Sequence, residues 1–139
     1  RPHNRAAIDD HPMRERIEIV EGSSTAPETV SRVKSLCNDK GPTLVCLDSD
    51  HTHEHVLAEL RAYAPLVTKG SYIVVMDTLI EDLPGDLFEG KRWGKGNNPK
   101  TAVAQFLREN RRFEADLDID AKLLLTVAPG GWLRCTEDP

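Results

Sequence analysis

Two apolar runs in this chain end in carboxylates: LVCLDSDH (Leu44–His51) and SYIVVMDT (Ser71–Thr78). Between them lies one helix-length stretch, Thr52–Tyr63, with Val56, Leu57, Leu60 and Ala64 on a single stripe and Pro65 at its end. A strand, a helix and a second strand in that order make parallel neighbours joined by a right-handed crossover. Consecutive strand ends then lie side by side at the carboxyl edge of the sheet, where open sheets bind ligands. Asp48, Asp50 and Asp77 are thereby expected to converge although they are distant in sequence. Convergent carboxylates repel unless a cation sits between them, and oxygen ligands suit a hard ion such as Mg²⁺.

The other segments extend the same pattern. His3 to about His11 reads as a short helix. Arg16–Glu21 (RIEIVE) alternates isoleucines with charges at the two-residue period of a strand. Gly22-Ser23-Ser24 is a turn, and Thr25-x-x-Glu28 with Pro27 opens a helix to about Asn38. The unbroken apolar run Thr43–Asp48 predicts a strand buried on both faces, with Cys46 a buried free thiol. Residues 79–98 form a long glycine- and acid-rich loop, a length that in a compact domain goes with function or disorder. Asn98-Pro99 caps a helix to about Asn110, and strands are expected at Phe113–Asp118, Leu123–Ala128 and Trp132–Cys135. The last two, joined by Pro-Gly-Gly, predict an antiparallel hairpin at one edge of an otherwise mostly parallel sheet.

Length and charge remove several classes of function. The 139 residues are enough for one domain, and the net charge of −5 comes with no Lys/Arg-rich tract. Nucleic acid is disfavoured as a partner, because phosphate neutralisation needs clustered cations. No apolar run approaches the roughly 20 residues of a membrane helix. The three scattered cysteines fit a reducing, cytoplasmic setting. The chain opens on Arg1 in mid-pattern, so the polypeptide is expected to begin upstream.

The stretches RPHNRAAI, IEIVEGSST, LVCLDSDHTHEHVLAELRAYAPLVTKGSYIVVMDT, GNNPKTAVAQFL and DIDAKLLLTVAPGGWL resemble class I S-adenosylmethionine-dependent methyltransferases. More narrowly, they resemble the family that groups rhamnosyl O-methyltransferases with cephalosporin hydroxylase, and the LDSDH…VVMDT pair is the most specific part. The resemblance implies an α/β, Rossmann-like sheet of seven strands ordered 3-2-1-4-5-7-6. Ile17–Val20, Thr43–Asp48 and Ser71–Asp77 resemble strands 3, 4 and 5. Strands 1 and 2 would then precede Arg1, and the chain would be the C-terminal part of one methyltransferase domain.

The resemblance also assigns roles. Asp48 and Asp77 look like metal ligands, Asp48 also lying toward the cofactor, while Met76 stands where metal-binding members carry a further acid or amide. His51 stands where metal-dependent O-methyltransferases place a catalytic lysine, and an imidazole can take a hydroxyl proton as the carbon–oxygen bond forms. Gly22, Ser23 and Ser24 resemble the segment that contacts adenine. Trp93 and Asn97, in FEGKRWGKGNN, would meet a sugar or other small-molecule acceptor. Each has a plainer reading as well: the aspartates as caps, His51 as a solvent-facing ring, the Gly-Ser-Ser segment as a turn. His51, His53 and His55 also invite zinc, but no glutamate sits in the metalloprotease position and no cysteine is close in sequence.

The leading expectation is an O-methyltransferase that uses S-adenosylmethionine, with Mg²⁺ assistance and homo-oligomerisation left open. A component of a hydroxylating system and a degenerate fold serving as a binding module are the alternatives.

Overall fold

The computed structural model describes residues 2–37 and 41–138. Helix α1 (Pro2–Asp9) is followed by α2 (Pro27–Cys37), strand β1 (Val45–Leu47), α3 (His53–Tyr63) and β2 (Tyr72–Val75). Then come α4 (Pro99–Glu109), β3 (Phe113–Ala115), α5 (Leu117–Leu123) and β4 (Trp132–Cys135). The four strands form one sheet in the order β1-β2-β4-β3. That is the order implied for strands 4, 5, 7 and 6 of the resembled fold.

The β1–β2 pair is parallel, with Leu47 opposite Val75, as a strand–helix–strand unit requires. The other two pairings, β2–β4 and β3–β4, are antiparallel, so the described sheet is mixed rather than mostly parallel. Alternation along the strands puts Leu47, Ile73, Val75 and Leu133 on one face. There α3 and α4 cover them through Leu57, Leu60, Ala102, Val103 and Phe106, all buried. Each of the larger side chains among them contributes about 1.5–3 kcal/mol by leaving water. Gly131 lets β4 approach β2, since a Cβ there would stand 2.3 Å from the Val75 carbonyl oxygen.

Three expectations fail, each for a physical reason. Arg16–Glu21 is not a strand: Arg14–Arg16 is a 3-10 turn and the following residues carry no strand. Alternating isoleucines make a strand only beside another strand, and no neighbour lies against them among the described residues. Leu123–Ala128 is not a strand either, so the expected hairpin is absent. Asp116 ends β3, its carboxylate accepting from the Ile119 N–H at 3.4 Å, and starts α5. Leu124 then takes φ +61° and ψ −47°, a γ-turn closed by the Leu125 N–H on the Leu123 carbonyl at 2.7 Å, and the chain breaks away. The antiparallel partner of β4 is β3 instead. Finally, Cys46 is exposed and Leu44 is 58% exposed, because β1 is an edge strand of the described sheet. The predicted end of α2 at Asn38 lies outside the described residues.

Candidate active site

The adjacency of β1 and β2 brings Asp48 and Asp77 to one corner of the sheet. One ligand atom each from Asp48, His51 and Asp77 lies within 4.8 Å of the other two. Within the cluster, His51 Nε2 is 2.8 Å from Asp77 Oδ2. Asp77, two residues beyond β2, has a left-handed backbone, φ +57° and ψ +25°. A non-glycine residue held in that region costs on the order of 1 kcal/mol and recurs at functional sites. Trp93 leans its ring edge-on against His51, centroids 5.1 Å apart.

Asp50 does not join the cluster. Its Oδ1 accepts from the Thr52 N–H at 2.9 Å, and its Oδ2 is ion-paired with Arg92. The Thr52 bond, with smaller help from the Arg92 guanidinium, holds the Asp50 carboxyl below its ordinary value. Arg92 and Trp93 belong to a strap laid over the strand ends. Asn97 ties the strap down: its Oδ1 accepts from the His53 N–H at 2.9 Å, and its Nδ2 donates to the Arg92 carbonyl at 2.8 Å. Behind it Glu81 accepts from the Gly96 N–H at 2.7 Å and from the Asn98 side chain. Those two bonds lower the Glu81 carboxyl.

Gly22, Ser23 and Ser24 stand apart from the carboxylate cluster. Gly22 has φ +143°, and a Cβ there would meet Thr29 Oγ1 at 2.6 Å, so the turn needs glycine. Ser23 Oγ lies 3.1 Å from Thr25 Oγ1. Ser24 Oγ lies 3.0 Å from His55 Nε2, and the Ser24 carbonyl accepts from the Tyr63 hydroxyl at 2.6 Å. Ser24 and Asp48 nevertheless line one groove of about 460 Å³.

The three alternating histidines go to separate places. His53 lies between α3 and α4, Nδ1 2.8 Å from Thr101 Oγ1 and Nε2 2.9 Å from Gln105 Oε1. His55 pairs at 3.5 Å with Glu59. Among the described residues no set of them gathers as zinc ligands; the single cluster of metal-binding type is Asp48, His51 and Asp77. Glu59 and Glu81 escaped sequence reasoning. Glu59 had a signal, since it shares the inward side of α3 with Val56 and Leu60, where a charge is out of place.

Residues 1–136 match the family described as Rhamnosyl O-methyltransferase/CmcI. The rhamnosyl O-methyltransferases of Mycobacterium tuberculosis (strain H37Rv) and Mycobacterium bovis (strain BCG Pasteur) are each 34% identical over 130 residues. That is 91% of this chain and 51% of theirs. The Mycobacterium leprae protein of the same name is 34% identical over 119 residues, 84% of this chain and 49% of its own. The chain thus spans about half the length of the curated relatives it matches. No solved structure gives a significant match.

Proposed function

The chain belongs to the rhamnosyl O-methyltransferase/CmcI family, and we propose that it transfers a methyl group from S-adenosylmethionine to a hydroxyl of a sugar or natural-product acceptor. The observation that carries this reading is the 2.8 Å contact between His51 and Asp77 beside Asp48. Asp77 can only accept, so in this reading the ring proton sits on the His51 nitrogen 2.8 Å from it, Nε2, and the lone pair is left on Nδ1. Nδ1 takes the acceptor hydroxyl proton as its oxygen forms the bond to carbon, and Asp77 stabilises the imidazolium that results. Trp93 supports the ring from its edge.

The groove fits the cofactor in size and chemistry. Its volume of about 460 Å³ falls in the ordinary range for small-molecule sites, and it carries the hydroxyls of Ser24, Thr43, Ser49 and Tyr63 and the carboxylates of Asp48 and Glu59 among apolar walls. Ser24, on the turn with Gly22 and Ser23, would hold the adenine ring, and Asp48 would face the cofactor at the strand end. When bound, S-adenosylmethionine supplies an electrophilic methyl group on a sulfonium. Asp48 and Asp77 would also hold Mg²⁺, with water completing its shell. Met76 offers no oxygen and Asp50 is engaged by Arg92, so the carboxylates of the cluster number two. In this reading the base is His51 and the cation assists by lowering the hydroxyl pKa. The acceptor would meet Trp93 and the strap that Asn97 anchors.

Calorimetric titration with S-adenosylmethionine, with and without Mg²⁺, tests the proposal. Binding followed by methylation of a rhamnoside supports it. Heat-silent titrations in both conditions would overturn it. If chelation removes transfer but not cofactor binding, the cation acts on the acceptor.

A further inference from the structure

Ser24 is held from two sides. Its carbonyl accepts from the Tyr63 hydroxyl at 2.6 Å, which fixes the backbone, and its Oγ lies 3.0 Å from His55 Nε2. A hydroxyl has one proton to give and two lone pairs, and an imidazole nitrogen is either an N–H or a lone pair. The 3.0 Å contact therefore has two forms. In one, Ser24 spends its proton on His55 and can only accept from a ligand. In the other, His55 donates, and the Ser24 proton is left for the groove that Ser24 lines.

Glu59 decides between the two forms. Its side chain is 2% exposed, Ser49 donates to its Oε1 at 2.7 Å, and Oε2 is buried with no partner. Among the described residues its one ion-pair partner is His55, whose Nε2 lies 3.5 Å from Oε1. That is long for a hydrogen bond, but the sign of the interaction is fixed. An N–H facing a buried carboxylate is attracted and a lone pair facing it is repelled, with little water to screen either. His55 therefore carries a proton on Nε2, whether the ring is neutral or charged. Ser24 Oγ accepts from that N–H, as the nearer of its two neighbours, and keeps its own proton free.

We infer that Glu59, acting through His55, is a positioning residue that fixes Ser24 as a hydrogen-bond donor, so that Ser24 meets a ring nitrogen of adenine and not the exocyclic amine. The inference rests on the cofactor reading of the groove and adds to it the edge of the base that Ser24 reads. A ring nitrogen offers the lone pair that a donor needs. An amine turned toward Ser24 would set two donors against each other.

The tautomer and the ligand preference are measured separately. Nitrogen-15 chemical shifts of the His55 ring, assigned by their loss in His55→Gln, should place the proton on Nε2 in the ligand-free protein. A proton on Nδ1 alone would overturn the inference before any ligand is added. Binding is then compared for S-adenosylhomocysteine and its 1-deaza, 3-deaza and 7-deaza analogues. One of the three should bind the wild type about tenfold more weakly than the parent, and Ser24→Ala should erase that gap. Glu59→Met fills the same buried space without an acceptor. It should give a mixture of His55 tautomers and shrink the gap to about threefold or less. Unchanged shifts with an unchanged gap would show that Glu59 does not set the proton, and the inference falls. If Glu59→Met does not fold, the wild-type tautomer and the Ser24→Ala comparison decide without it. Should Ser24→Ala instead level the parent with the analogue lacking the 6-amino group, Ser24 is an acceptor and the inference is wrong. When the wild type binds the parent but Ser24→Ala keeps every deaza gap, the cofactor reading stands and this inference alone fails. When the wild type binds none of these ligands, both fail.

Discussion

His51–Asp77 and His55–Glu59 are the same chemical pair in two settings. The first sits at the carboxyl ends of two parallel strands, 2.8 Å apart, with the rings and carboxylate partly open at 19% and 35% exposure. The second is stretched to 3.5 Å, and its carboxylate is buried. His55 also spends the same Nε2 on Ser24, so Ser24, His55 and Glu59 do not form a relay through opposite ring nitrogens. Residue types alone do not make a proton-transfer site. What separates the pairs is that Asp77 and His51 stand partly exposed at the strand ends, whereas Glu59 is buried at the wall of a groove.

The sharpest way to break this comparison is to delete each ring. His51→Ala should lower kcat for methyl transfer by about 10²–10⁴-fold with little change in thermal stability, because it removes the base and little packing. His55→Ala should leave kcat within a fewfold and instead lower the melting temperature. Equal losses of kcat in the two variants would refute the assignment of roles. The histidine between them should behave differently from both. His53→Ala removes two hydrogen bonds that join α3 to α4, and an unfolding titration should lose about 1–3 kcal/mol.

Much of this was legible in the chain. Strands β1 and β2, helices α3 and α4, and the convergence of Asp48 with Asp77 all follow from periodicity and from the rule that parallel strands end together. The 2.8 Å approach of His51 to Asp77 was not legible, because Asp77 takes a left-handed backbone that no periodicity signals. The three leucines from Leu123 imitate a strand, but Asp116 and its local cap decide the segment as a helix first. Ile17 and Ile19 have the pattern of a strand and no neighbour to pair with. Periodicity reports which face a side chain would use, not whether a second element is there to receive it.

The strap over the strand ends gives a pH signature. Glu81 is held below its ordinary 4.5 by the Gly96 N–H and the Asn98 amide, and Asp50 below its ordinary 3.8 by the Thr52 N–H. Both folded values are depressed, so the stabilisation is complete above the unfolded values and is lost as pH falls through the lower folded ones. Melting temperature should therefore drop with acid from about pH 4.5 downward, and Glu81→Gln should flatten that slope. An unchanged slope in the variant would remove Glu81 from the account. Its neutral amide still accepts one bond, so the loss at neutral pH should be smaller than for His53→Ala.

The smallest effect on stability is expected at Arg92, and it separates the strap's two uses. Arg92 is 73% exposed and pairs with Asp50, which the Thr52 N–H already holds. An exposed pair of this kind contributes about 0–1 kcal/mol, so Arg92→Ala should barely move the unfolding midpoint. The same side chain reaches the strand ends from the strap, as Trp93 does against His51. If the strap serves the acceptor, the variant should raise KM for the acceptor severalfold while kcat and cofactor affinity stay near wild type. A fall in kcat alone would mean that Arg92 works through the orientation of Trp93 and His51, which would move the strap from holding the acceptor to positioning the base.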